Sequence, residues 1–260
     1  MYELFVMALK EYWNEQGDSL DEVKQNIGEL QQVLSDHYGK KVAWDEPDPD
    51  PANAEDEINV CAFLDSQFSA LQAVAGALEL GENPEDLELG EGDAIFDSPI
   101  FDRIGDYTEN EDLKKYPHLL TVGTACESFF LPVDLPFVAQ INTEDEDDDA
   151  CDCDDENCHC HDDECCDCED DENCIEISSL QALRAELDSL AKAIHLDTSV
   201  TEADIEELTF DDDDKLRDAK VAWYLLSAHV NEALKANLPL IMQYKDVEDE
   251  DYEDEFEDED

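Results

Sequence analysis

Ser128-Phe129-Phe130-Leu131-Pro132-Val133-Asp134-Leu135 is the stretch on which the fold turns. It is short, rich in β-branched and aromatic residues and bounded by turn formers, so it reads as a β-strand. Pro132 lacks an N–H, which puts the strand at a sheet edge or bends it. Working outward, His118-Leu119-Leu120-Thr121-Val122-Gly123 reads as a strand before it and Phe137-Val138-Ala139-Gln140-Ile141 as a third after it. Leu238-Pro239-Leu240-Ile241-Met242-Gln243-Tyr244 reads as a last strand able to join this middle sheet.

Helical periodicity lies on both sides. Tyr2, Phe5, Val6, Leu9 and Trp13 recur at helical spacing, as do Leu20, Val23, Ile27, Leu30 and Leu34. Ser19 with Glu22 forms a capping-box signature, and Gly39 is a C-terminal stop. The prolines of Trp44-Asp45-Glu46-Pro47-Asp48-Pro49-Asp50-Pro51 make a loop. A third helix shows the stripe Cys61, Leu64, Phe68, Leu71, Ala75 and Leu78, and ends at Gly81-Glu82-Asn83-Pro84. Leu180, Leu183, Leu187, Leu190 and Ile194 follow a Ser178-to-Gln181 capping box. A short helix over about 202–208 precedes a long one marked by Leu216, Ala219, Trp223, Leu226, Val230 and Leu234, with Asp211–Asp214 complementing its positive end. The expectation is an α+β protein, mainly helical with a small, mostly antiparallel sheet. Its parts are a helical region 1–90, a strand-rich region 91–143, an acidic Cys-rich loop 144–174, a helical region 175–245 with a final strand, and a disordered acidic tail 246–260.

Seventy-five acids stand against fourteen bases, a formal net charge of −61. Direct binding to nucleic acid or to anionic lipid through a basic patch is excluded, because both need clustered Lys and Arg. Residues 144–174 carry eighteen acids and residues 246–260 twelve, neither with a base, which leaves 45 acids against 14 bases elsewhere. The tail has too little apolar surface to offset ordering; it reads as a solvated strand or as a dock for a basic protein through Tyr252 and Phe256. The first residues lack the positive region of an export signal, and no apolar run is long enough to span a bilayer. The expected location is the cytoplasm, with thiols reduced.

Eight of the ten cysteines fall in 151–174: Cys151, Cys153, Cys158, Cys160, Cys165, Cys166, Cys168 and Cys174, with His159 and His161 interleaved. Thiolates favour zinc, copper(I) and related soft ions, and eight sulfurs with two imidazoles exceed one tetrahedral site. Neighbouring Cys pair poorly with each other as disulfides, and a zinc finger needs a foldable stretch between ligand pairs. The Cys-X-Cys pairs and adjacent Cys165-Cys166 make the segment resemble a metallothionein, with carboxylates where that family sets Lys. The resemblance implies a zinc or copper(I) cluster on these ten residues.

Other candidates carry less. Cys126 lies in the connection Gly123–Ser128 near His118, without the rest of a catalytic set, and reads as a buried Cys. Cys61 reads as core; His37, His195 and His229 read as surface or helix-end residues. There is no phosphate loop, Gly-X-Ser-X-Gly or His-Glu-X-X-His, so no enzyme is expected. The first functional expectation is a metal-binding protein that captures soft ions. The alternative is an acidic binding module, either a mimic of DNA's charge or a shield for a basic protein. Adaptation to a salty cytoplasm would account for the spread acidity without a partner.

Overall fold

The computed structural model describes residues 1–17, 19–47, 60–90, 92–123, 127–142, 174–198, 210 and 214–245. The expected helix over 202–208, the tail 246–260 and nearly all of the Cys-rich loop lie outside them. Described in chain order are β1 (Tyr2–Val6), α1 (Leu9–Glu15), α2 (Leu20–Tyr38), β2 (Val60–Phe63), α3 (Asp65–Leu80), α4 (Pro99–Thr108) and α5 (Pro117–Thr121). Then come β3 (Glu127–Leu131), β4 (Ala139–Asn142), β5 (Cys174–Ser179), α6 (Leu180–Ala193), α7 (Arg217–Ala236) and β6 (Leu240–Tyr244). Two 3-10 turns, Pro84–Asp86 and Gly92–Ile95, link α3 to α4. The α+β expectation holds.

The strands form one sheet in the order β2-β1-β6-β3-β5-β4. Only β3 and β5 run parallel; the other pairings are antiparallel. The expected last strand joins the middle sheet, with Ile241 of β6 opposite Phe129 of β3. β3 is interior, however, and stops at Leu131, so Pro132 ends the strand without making it an edge or bending it. Its Phe129, Phe130 and Leu131 are all fully buried because the sheet is covered on both faces. Phe129 and Leu131 meet α1 and α2 through Leu9, Val23, Ile27, Leu30 and Leu34. Phe130 meets the larger core of α3, α6 and α7, built on Phe68, Leu71, Leu183, Leu187, Trp223 and Leu226.

Three expected elements change type. Residues 2–6 are a strand, because Tyr2, Leu4 and Val6 pack to the α3 side while Phe5 packs to the α2 side. Residues 60–63, read as the start of a helix, pair with β1, which puts Cys61 on an edge strand, half-buried against the core. Residues 117–121 are a helical turn, not a strand, opened by Pro117 at its first position. The capping box Ser19–Glu22 and the left-handed stop at Gly39 form as expected. For α6 the cap is Ser179, whose Oγ accepts the N–H of Ala182, while Ser178 is still in β5 and bonds elsewhere. Among the described residues no helix is long and apolar enough to cross a membrane.

Candidate functional site

Between the end of α3 and the start of α5 the chain makes an excursion, residues 81–113, with twelve acids and one base, Arg103. Its inward side is apolar: Leu87, Ile95 and Ile100 are buried, and Ile104 of α4 lies over Gly76 of α3, where a Cβ would stand 2.9 Å from Ile104 Cγ1. Glycine at position 76 is thus what lets the two helices approach. The outward side is carboxylate. Glu85, Asp86, Glu88, Asp97, Asp102, Asp106, Glu109, Glu111 and Asp112 are exposed.

On α4 the spacing is regular. Asp102, Asp106 and Glu109 stand four and then three residues apart, on the face opposite Ile100 and Ile104, and Glu109 keeps helical dihedrals as the C-cap. At 1.5 Å rise per residue they span about 10.5 Å. That is a mean step of about 5 Å per carboxylate, wider than the roughly 3.4 Å per phosphate of one strand of duplex DNA along its axis, so the row is a sparser line of negative charge than a phosphate strand. The single base does not break the array: Arg103 Nη1 is 2.5 Å from Glu82 Oε1, and its Nε donates to Pro99 O. Glu82, Asp86, Glu88, Ser98 and Arg103 border a groove of about 550 Å³.

A second, sparser row lies on α2, on the other side of the sheet. Glu22, Glu29 and Asp36 are seven residues apart, exposed, and opposite Val23, Ile27, Leu30 and Leu34. Each is held by a neighbour: Glu22 by the Ser19 cap, Glu29 by Gln25 at 2.8 Å, and Asp36 by Gln32 at 2.9 Å. Several bases elsewhere are paired with acids or carbonyls. Lys220 pairs with Asp214, Arg184 with Asp188, Lys245 with Glu3, and Lys10 donates to Glu46 O. Asp214 also accepts the N–H of Leu216, as expected of an acid at the start of α7.

Three acids are buried around residues 114–123, and sequence reasoning did not separate them from the surface ones. Glu79 accepts the N–H groups of Lys114, Lys115 and Tyr116. Glu186 accepts those of His118 and Leu119, and Glu176 accepts that of Gly123 and the hydroxyl of Ser128. Three elements thus turn carboxylates onto the backbone of one ten-residue stretch, which is why that stretch cannot serve as a strand. Burial pushes the Glu186 carboxyl up to about 8, reinforced by the Glu79 charge and opposed by its two amide donors. His118 is buried with its Nδ1 2.7 Å from Ser178 Oγ, and burial pushes it down to about 4. The pair is sealed from solvent and offers no open catalytic site.

Of the other candidates, His37 is exposed and stacks on Phe137, and His195 is exposed just past α6. His229 is not at the surface; it is buried in α7 with Nδ1 on Leu225 O. Cys126 lies outside the described residues.

Of the ten expected metal ligands, Cys151, Cys153, Cys158, His159, Cys160, His161, Cys165, Cys166 and Cys168 lie outside the described residues, and Cys174 opens β5 opposite Asn142 of β4. Among the described residues no three His, Cys, Asp or Glu are grouped to hold an ion. No curated protein and no solved structure matches the chain. A family match does, and it overturns the soft-metal reading together with its zinc or copper(I) cofactor, its metal-ion partners and the likeness to a metallothionein. Sulfur density reported what two dozen residues could ligate, whereas the match covers the folded chain and its distributed acidity. Residues 2–242 match the family described as "Putative DNA-mimic protein", and the chain belongs to that family.

Proposed function

We propose that this protein binds a basic DNA-binding protein by presenting carboxylates where the partner would meet phosphates. The observation that carries the reading is the exposed array on the 81–113 excursion: nine carboxylates on a packed scaffold, with the one base neutralised by Glu82. Asp102, Asp106 and Glu109 supply a linear part of it, a row of negative charge along one helix face. The proposed role is that of a binding protein and not an enzyme, and its proposed location is the cytoplasm.

A surface that competes for a DNA site gains the same entropic term as DNA, release of ions condensed around it, so its binding weakens as salt rises. The test is displacement of a labelled duplex from a purified histone-like protein. The variant D102N/D106N/E109Q should displace it about tenfold less well, since exposed ion pairs contribute about 0.2–1 kcal/mol each. Equal displacement by the variant would remove α4 from the interface.

A further inference from the structure

The excursion leaves the core at the end of α3 and returns to the same place. Glu79 stands in the last turn of α3 and is 6% exposed. Its Oε1 accepts the Lys114 N–H at 2.8 Å, and its Oε2 accepts those of Lys115 at 2.7 Å and Tyr116 at 3.1 Å. Lys115 Nζ reinforces the closure by donating to Leu78 O and Glu79 O, carbonyls at the C-terminal end of α3.

Chain attachment within the excursion is uneven. Its first two thirds are anchored by Leu87, Ile95 and Ile100. The returning limb, residues 108–115, has no buried side chain. It carries Glu109, Glu111 and Asp112, which continue the acidic run of α4, and then Lys114 and Lys115, with Lys114 Nζ 2.6 Å from Glu111 Oε2. The acids of residues 102–112 repel one another, the exposed Lys114–Glu111 pair offsets little of that, and apolar burial does not hold the limb back.

We propose that Glu79 is a positioning residue that closes the acidic excursion at its base, and so fixes the end of the carboxylate array that a basic partner meets. The inference rests on the DNA-mimic reading above. Hydrogen bonds to a charged acceptor are among the stronger ones, and three on one buried carboxylate outweigh what an exposed limb gains by fraying.

The test uses the full chain and two readouts, amide exchange over residues 82–116 and displacement of a labelled duplex from a histone-like protein. In Glu79→Ala, exchange at residues 108–116 should quicken about tenfold or more at low salt, since the amides of Lys114, Lys115 and Tyr116 each lose a charge-assisted bond and the limb before them loses its anchor. The excess should shrink toward 1 M salt, where the screening length falls to about 3 Å. Displacement should weaken about tenfold at the same low salt, in line with three exposed contacts losing their places. Glu79→Gln, which keeps one acceptor oxygen, should fall between Glu79→Ala and wild type, and it serves if the alanine variant does not fold. Leu34→Ala, in the core on the other side of the sheet, should lower stability without changing displacement. Unchanged exchange, or faster exchange with undiminished displacement, overturns the inference; so does an equal loss of displacement in Leu34→Ala. If the wild-type chain displaces no DNA, the mimic reading fails and the partner-facing half of this inference falls with it, while the exchange data still decide whether Glu79 closes the excursion.

Discussion

Replacing Glu186 with Gln should change how stability depends on pH and leave the fold intact. In the folded protein burial holds the carboxyl near 8, against 4.5 when unfolded. The unfolded chain therefore releases a proton that the folded one keeps, so stability present below pH 4.5 is lost as pH rises to 8, in all about 5 kcal/mol at 1.36 kcal/mol per unit. His118 works the other way. Its imidazole is held near 4 against 6.5, so stability present above pH 6.5 is lost as pH falls toward 4, about 3 kcal/mol in all. The two slopes oppose each other between 4.5 and 6.5, and above 6.5 only Glu186 remains, costing about 2 kcal/mol by pH 8. Gln keeps one acceptor oxygen and turns an NH2 toward the second amide, a loss of about 1–3 kcal/mol at any pH. The variant should be the less stable protein at pH 5 and the more stable one at pH 8. Urea unfolding followed by tryptophan fluorescence, at constant ionic strength, measures the difference, in which the other carboxylates largely cancel. A difference that stays constant from pH 5 to pH 8 would refute the reasoning.

Two further substitutions test local geometry. Gly123 has φ +85°, donates its N–H to Glu176, and leaves no room for a Cβ, which would stand 2.7 Å from Phe68 Cε1. Gly123→Ala should cost about 2–4 kcal/mol, and a melting temperature equal to wild type would contradict that geometry. Ser179 both caps α6 and donates to Val133 O at 2.7 Å, so Ser179→Ala should cost about 1–2 kcal/mol and speed amide exchange at the start of α6. Ser178→Ala should spare that helix end and remove the partner of His118; if it frayed α6 more than Ser179→Ala does, the cap would be misassigned.

Much of the architecture was legible where one face of an element is wet. Val23, Ile27, Leu30 and Leu34 alternate with charge at helical spacing, and the Ser19–Glu22 box marks where α2 begins. Legibility failed where both faces are dry. Tyr2, Leu4, Phe5 and Val6 serve cores on opposite sides of the sheet, so the polar alternation that identifies a strand is missing and the spacing imitates a helix. Pro117 is the one sign in the sequence that His118-Leu119-Leu120 begins a helical turn, since its fixed φ suits a first helical position. The candidate surface is hard to see in the sequence because residues 144–174 and 246–260 are denser in acid, while the excursion's twelve acids and one base do not stand out from the 45 acids and 14 bases outside those two segments. No sequence signal separates Glu79, Glu176 and Glu186 from exposed acids, since their burial depends on distant amides reaching them. At Cys61 the apolar spacing of α3 runs on four residues upstream of the helix, across the edge strand that pairs with β1, so the spacing alone does not mark where the helix begins.

The central claim is that this chain occupies the place of DNA on a basic protein. Its most direct test is to titrate the full chain into a preformed complex of a labelled duplex with a histone-like protein, at a series of salt concentrations. The account predicts displacement at low salt, with an apparent affinity that falls steadily as salt rises. Failure to displace DNA at low salt, or displacement indifferent to salt, would contradict it.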